Sequence, residues 1–268
     1  MPELPEVEAY RRLAAERALG RAIVAVDAPD AWYLKGGLGA GEVADALSGR
    51  SFTAARRIGK LLLLDTGGAG PGAGPGPVLG LRFGMTGRLV VDGWVGVGEL
   101  LYSSNRTEPR WDRFSVRFAD GGDLRMRDPR RLGGVIVDPD EAALGVDAAT
   151  VTPAGLRRAL GTSGAPLKAR LMDQSRLAGV GNLIADEALW RAGLDPRRPA
   201  ASLSEPELRR LHRHLRSTVA DLIERGGSHA GDLRPHRHAG GRCPREGAEL
   251  RRATVGGRTT WWCPLHQR

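Results

Sequence analysis

The sequence predicts an α+β protein: a β-sandwich carrying an N-terminal helix, followed by a helical region and a short basic tail. Three observations predict it. Short apolar or alternating runs punctuated by Gly and Pro fill residues 22–137, the apolar period turns helical from about residue 150, and the tail from His229 onward is short of core residues. A chain of 268 residues is long enough for two modest domains. The expected organisation is a sandwich over 1–140, a helical module over 150–228 and a tail over 229–268.

Residues 1–20 read as a helix. Pro5 fits a first-turn position, where its missing N–H costs little; Val7, Tyr10, Leu13 and Ala14 recur at helical spacing, and Gly20 suits the stop. Glu3, Glu6 and Glu8 lie near the positive end of that helix dipole. Strands are expected at 23–26, 60–64, 78–82, 88–91, 113–118 and 134–137. The stretch 67–77 contains only Gly, Ala and Pro and reads as a loop between two strands, with no role in chemistry. Helices are expected at 153–160, 166–172, 183–192 and 205–225; the last carries an apolar stripe of Leu208, Leu211, Leu215, Val219 and Leu222. There is no internal repeat.

Composition narrows the class. The chain is 41% hydrophobic and 26% charged, the balance of a soluble globular protein. The longest apolar run, 61–64, is too short to span a bilayer, and the early glutamates stand where a signal peptide needs basic and then apolar residues. A cytoplasmic, nucleoid-associated monomer is therefore expected, with no membrane partner. A net charge of +9 favours a polyanionic partner, since basic side chains that neutralise phosphates release counterions. Only Cys243 and Cys263 are present; without export signals, a metal site is favoured over a disulfide.

The chain begins Met1-Pro2-Glu3-Leu4-Pro5-Glu6-Val7-Glu8. Removal of Met1 leaves Pro2 with a free secondary amine, which can attack the anomeric carbon of a sugar and form an iminium ion, as catalytic lysines do in Schiff-base chemistry. This octet closely resembles the start of the formamidopyrimidine-DNA glycosylase and endonuclease VIII family, and the resemblance extends over nearly the whole chain. Arg57-Ile58-Gly59-Lys60 resembles the family's glycine–lysine turn, which implies that Lys60 contacts the phosphate flanking the lesion and assists catalysis. Phe83-Gly84-Met85-Thr86-Gly87 is similar to the loop that pushes Met85 into the helix from the minor groove, an apolar wedge replacing lost stacking. Asp128-Pro129-Arg130-Arg131-Leu132-Gly133 resembles the second wedge loop, with Arg130 on the orphaned base and Leu132 intercalating.

The string 166–182, ending Gly179-Val180-Gly181-Asn182, resembles the family's helix–two-turns–helix motif. Its glycines let the backbone approach a ligand, and free N–H groups at a helix start bind anions. The resemblance implies Lys168 and Asn182 as phosphate ligands. Family members commonly end in a zinc-finger-type β-hairpin with two Cys-x-x-Cys knuckles; here these read Cys243-Pro244-Arg245-Glu246 and Cys263-Pro264-Leu265-His266. Cys243, Cys263, His266 and Glu246 are the implied zinc ligands, with His238 chemically better than Glu246 but outside the motif. A three-ligand or metal-free hairpin held by Trp261 and Trp262 is the alternative. The tip, Val255-Gly256-Gly257-Arg258-Thr259-Thr260, implies Arg258 as a minor-groove and phosphate contact.

The resemblance implies a bifunctional glycosylase and abasic-site lyase acting on damaged double-stranded DNA, with Pro2 as nucleophile and Glu3 and Lys60 assisting. Leu132 stands where the 8-oxoguanine branch usually has phenylalanine, Arg82 replaces a common histidine, and the segment between Gly227 and Cys243 is short. The N-terminal octet leans towards the purine-excising branch, but Leu132 and the short segment favour endonuclease VIII-like action on oxidised pyrimidines and abasic sites. The alternatives are 8-oxoguanine/formamidopyrimidine or bulky alkylated bases, and a non-catalytic binder of damaged DNA.

Overall fold

The computed structural model describes residues 2–68, 74–98, 100, 103–104 and 106–268. The chain divides into two compact units: the first holds Pro2 and Glu6–Glu141, the second Glu3–Pro5 and Ala142–Arg268.

In the first unit, helix α1 (Leu4–Arg17, its opening residues counted with the second unit) leads into β1 (Ile23–Asp27), β2 (Leu34–Lys35), α2 (Ala40–Leu47), β3 (Arg50–Ile58), β4 (Leu61–Gly68), β5 (Pro75–Arg82), β6 (Arg88–Val91), β7 (Trp94–Val95), β8 (Asp112–Phe118), β9 (Asp123–Arg127) and β10 (Gly134–Val137). Among the described residues these strands form two five-stranded sheets, ordered β1-β8-β9-β6-β7 and β2-β10-β5-β4-β3. Alternation along each strand puts Leu62, Leu64, Leu79 and Leu81 of one sheet into the same core as Leu89, Val91, Phe114, Val116, Leu124 and Met126 of the other. Phe52 and Phe118 meet across it edge-on, with ring centroids 6.2 Å apart. Val7, Tyr10, Leu13 and Ala14 of α1 join that core at the spacing the sequence predicts.

The structure adds elements the periodicity does not announce. Strand β3 pairs with β4 over its whole length, yet its burial is partial and its residues do not alternate cleanly. Helix α2 is short; the Glu42 carboxylate accepts the Gly39 N–H at 2.7 Å, and Val43 and Leu47 are buried. The expected loop over 67–77 is also corrected at both ends: β4 runs to Gly68 and β5 starts at Pro75, with Gly67 opposite Pro75. Glycine is required there, because a Cβ on Gly76 would lie 2.5 Å from Thr66 Oγ1. Residues 69–73 of that stretch lie outside the described residues.

The second unit contains β11 (Val146–Asp147), α3 (Pro153–Leu160), α4 (Leu167–Leu171), β12 (Leu177–Ala178), α5 (Asn182–Ala192), α6 (Glu205–Glu224), β13 (Arg251–Val255) and β14 (Arg258–Trp262). The Thr152 hydroxyl caps α3 by accepting from Gly155 N–H at 3.0 Å, and Ser204 with Glu207 forms a capping box at the start of α6. Helix α5 is buried nearly all round, and the predicted α6 stripe from Leu208 to Leu222 packs into the same core. The C-terminal hairpin has only a small cluster of its own, Trp190, Leu233, Cys243, Leu250 and Cys263. No helix among the described residues is long and apolar enough to cross a membrane.

Candidate functional site

Pro2 and Glu3 are both buried. Within the second unit the Glu3 carboxylate sits on the start of α5. It accepts hydrogen bonds from the backbone N–H groups of Gly181 (3.0 Å), Leu183 (2.8 Å) and Ile184 (3.1 Å). These are the donors that a helix start offers an anion. The anion site read from the sequence at this turn is therefore filled by the chain's own carboxylate. Gly181 has no side chain for a steric reason: a Cβ there would lie 2.2 Å from Glu3 Cδ. Gln174, within the 166–182 string, holds the turn. Its amide N–H groups donate to Met172 and Val180 carbonyls (2.7 and 2.8 Å), and its oxygen accepts from Gly179 N–H at 3.0 Å.

Lys60 is half-buried in the two-residue turn between Ile58 and Leu61, which pair across β3 and β4. Gly59 takes φ +58°, which the tight turn demands. Arg57 braces it, donating to the Gly59 carbonyl at 3.0 Å and pairing with Glu8 of α1 at 3.2 Å. Burial pushes the Glu8 carboxyl up, but hydrogen bonds and charge from Arg11 and Arg57 hold it below the usual value. The Lys60 turn is thus tied to the helix that follows the N-terminus.

Met85 is half-buried, Arg130 is exposed and Leu132 is 49% exposed. They stand on two adjoining loops, β5–β6 and β9–β10. Sequence reasoning missed what holds these loops: Asp128, 0% exposed, accepts from Thr86, Arg130 and Gly133. Tyr33 adds a longer bond of 3.4 Å; burial and then the Asp128 charge push its phenol well above the ordinary value, keeping it a donor. Arg131 turns away at φ +56° onto Asp30, with bonds of 2.6 and 2.7 Å. The opening Asp of the string 128–133 was the available signal, since Asp commonly binds its own turn.

Lys168 departs from expectation. It is fully buried, and its ammonium is spent on Asp186 (2.7 Å), the Thr260 hydroxyl (2.7 Å) and the Thr259 carbonyl (3.3 Å). Burial lowers its pKa, and Asp186 opposes the shift. Asp186 also takes Arg237 at 2.7 Å. Lys168 is therefore an internal ion-pair member that fixes the hairpin rather than a group presented to phosphate; nothing in the sequence marks Asp186 as its partner. Asn182 is half-buried, and its Oδ1 is buried with no hydrogen-bond partner among the described residues. Arg258 is exposed at the tip of β13–β14, next to Gly256 and Gly257 at φ +59° and +71°. A Cβ on Gly256 would lie 2.9 Å from Ala169 Cβ, so the tip is seated on α4.

Cys243, Cys263 and His266 bring their ligand atoms within 4.8 Å of one another. His266 Nε2 lies 3.1 Å from the Trp190 carbonyl, which fixes the proton on Nε2 and leaves the Nδ1 lone pair 3.8 Å from Cys243 Sγ. Burial pushes the Cys243 thiol up, but the Trp190 indole N–H at 3.4 Å and the Glu246 and Arg245 backbone N–H groups bring it below its ordinary value. Two sulfurs and an oriented imidazole nitrogen are a donor set that fits zinc. Exposed Glu246 lies 4.0 Å from His266 Nδ1, and His238 is exposed and outside the cluster.

Taken by class, this is a two-unit protein with a β-sandwich whose chain opens Met1-Pro2-Glu3, and a helix–two-turns–helix module ending in a Cys/His hairpin. The formamidopyrimidine-DNA glycosylase N-terminal domain model matches residues 1–135, and that family's H2TH domain model matches residues 144–232. The chain is 36% identical to formamidopyrimidine-DNA glycosylase of Thermus thermophilus over 294 residues, covering 100% of this chain and 98% of the relative. It is 34% identical to that of Alkalilimnicola ehrlichii, with both chains covered completely. Among solved structures it is similar to Lactococcus lactis Fpg bound to tetrahydrofuran-containing DNA and an inhibitor, and to Lactococcus lactis Fpg with DNA containing an oxidised pyrimidine. The TM-scores are 0.82 and 0.81, each at 25% identity over the whole of both chains. The chain belongs to the formamidopyrimidine-DNA glycosylase family and is a bifunctional DNA glycosylase and abasic-site lyase.

Proposed function

We propose that this enzyme excises formamidopyrimidine and 8-oxoguanine lesions from duplex DNA and cuts the strand through Pro2. The observation that carries the reading is full-length similarity to relatives bearing the formamidopyrimidine-DNA glycosylase name, with the Pro2–Glu3 start intact. This takes the purine-side alternative over the pyrimidine preference that the sequence favours.

The Pro2 nitrogen attacks C1′ of the damaged nucleotide, and the bond to the base breaks. Glu3 protonates the ring oxygen as the sugar opens, and loss of the amine proton leaves an iminium joining protein and DNA. Loss of the C2′ proton then expels the 3′ phosphate, and a second elimination expels the 5′ phosphate. The adjacency of Glu3 to Pro2 and its anchorage on α5 support its role. Lys60 meets the phosphate flanking the lesion. Met85, Arg130 and Leu132 fill and inspect the space left by the flipped nucleotide, which their place on two adjoining loops, with Arg130 and Leu132 exposed, supports. Asn182 and Arg258 contact the backbone. Cys243, Cys263 and His266, with Glu246 as fourth ligand, would hold a zinc ion, and that ion would stiffen the hairpin that presents Arg258.

A second reading, oxidised pyrimidines, is favoured by Leu132 and by the short segment between Gly227 and Cys243, built only of brief turns. Borohydride trapping on abasic-site duplex should give a covalent adduct, lost in Pro2→Gly. Single-turnover rates on 8-oxoguanine, formamidopyrimidine and 5-hydroxycytosine duplexes decide between the readings; fastest excision of the pyrimidine overturns the first.

A further inference from the structure

Asp128 opens the β9–β10 loop and is fully buried. Its Oδ1 accepts from the Thr86 hydroxyl, in the other loop, and from Arg130 N–H at 3.2 Å. Its Oδ2 accepts from Gly133 N–H at 2.8 Å, and its carbonyl accepts from Arg113 Nε at 3.0 Å. One side chain therefore holds its own loop in the middle and at the end, and reaches across to the loop carrying Met85. A carboxylate so surrounded makes charge-assisted bonds, stronger than neutral ones.

Further contacts make the junction stiff. Gly84, at φ +55°, lies so close to the second loop that a Cβ would stand 2.3 Å from the Leu132 carbonyl carbon. On the other side, Arg131, exposed like its neighbours Arg130 and Leu132, is tied down by its pair with Asp30. Phe83, which precedes the first loop, is buried against Tyr10 at a centroid distance of 4.4 Å, and the Tyr10 hydroxyl donates to the Gly87 carbonyl. Both ends of the first loop are thereby fixed to α1.

We infer that Asp128 is a positioning residue that joins the two loops into one rigid probe, so that Met85, Arg130 and Leu132 enter damaged DNA as a unit. The inference rests on the proposed role of these loops. Independent loops contribute additively to binding, whereas side chains on one rigid frame are coupled. Stiffness also cuts the ordering cost of binding.

The test is a double-mutant cycle in the dissociation constant for duplex carrying tetrahydrofuran, an abasic analogue that the lyase cannot cleave. Met85→Ala and Leu132→Ala are measured singly and together, in the natural chain and in Thr86→Val. The obvious variant, Asp128→Ala, would also strip the loop of its own bonds. Thr86→Val is isosteric and removes only the bond between the loops. In the natural chain the double substitution should depart from the product of the single effects by about fivefold or more; with Thr86→Val it should match that product within about twofold. Equal coupling in both backgrounds, or none in the natural chain, overturns the inference. A natural chain that binds the tetrahydrofuran duplex no better than intact duplex overturns the proposed function itself. A merely structural role for Thr86 would weaken all variants alike and leave the coupling unchanged.

Discussion

The position a Cβ would take on Gly181 lies 2.2 Å from Glu3 Cδ, so Glu3 and the start of α5 fit together only because Gly181 has no side chain. Substituting alanine must expel the carboxylate from its three backbone donors. Hydrogen bonds to a charged group are worth about 1.5–3 kcal/mol each. Losing the Glu3 geometry should slow single-turnover strand cleavage of abasic duplex by roughly a hundredfold, equivalent to about 2.7 kcal/mol. Gly181→Ala that cleaves at the natural rate would show that Glu3 needs no fixed cradle.

The buried Lys168–Asp186 pair predicts a stability effect rather than a change in DNA affinity through lost phosphate contact. Both side chains are essentially inaccessible, and the pair is 2.7 Å apart. Removing one partner of a buried ion pair leaves the other charge stranded, at a cost of about 3–5 kcal/mol. Asp186→Asn should lower stability by that order in urea unfolding followed by helical circular dichroism. Lys168→Met combined with Asp186→Asn should recover part of the loss. A Lys168→Met enzyme with natural stability and a salt dependence of DNA binding reduced by one phosphate contact would restore the phosphate role instead.

Those two cases also mark what the sequence makes legible. The α3, α5 and α6 segments were readable because caps, glycines and apolar stripes are local signals, and they end where those signals end. The paired Cys and His of the hairpin and the wedge residues were readable as strings. Asp128, Asp186 and the β3 strand were not, because a buried carboxylate looks like any surface acid until its partners arrive from distant segments. The same blindness explains Lys168: its stretch resembles a phosphate-binding motif, but the decisive fact is an aspartate eighteen positions on.

Acid sensitivity is predicted at the start of α6. The hydrogen bonds from Arg198 hold the Glu207 carboxyl at about 2, helped by Ser204 and opposed by burial. A folded value below the unfolded one, roughly 4.3, gives stability that is present above the unfolded value and lost as pH falls towards the folded one. Glu207→Gln keeps the capping geometry without the charge. It should be less stable than the natural chain at neutral pH, and the gap should close between about pH 4.3 and 2. A gap that stays constant over that window would mean that the carboxylate charge does not stabilise the cap.

Metal removal should act on the hairpin before it acts on the helical core. The cluster beneath β13 and β14 is small, whereas α5 and α6 share an extensive core that does not involve the Cys/His group. Zinc held by Cys243, Cys263 and His266 would supply folding energy where apolar burial is scarce. A chelator should therefore expose the amides of residues 243–266 to hydrogen exchange and change the emission of Trp261 and Trp262, while helical circular dichroism persists. Cys263→Ser should abolish stoichiometric zinc by elemental analysis. Glu246→Ala should retain zinc with about tenfold or greater loss of affinity, since a carboxylate fourth ligand contributes less than a thiolate. Arg258 rides on this hairpin, so DNA affinity should fall with the metal and return when zinc is restored. A chelated enzyme whose hairpin amides stay protected would instead assign the hairpin's rigidity to Trp262 and the Arg197 guanidinium 4.5 Å from its ring.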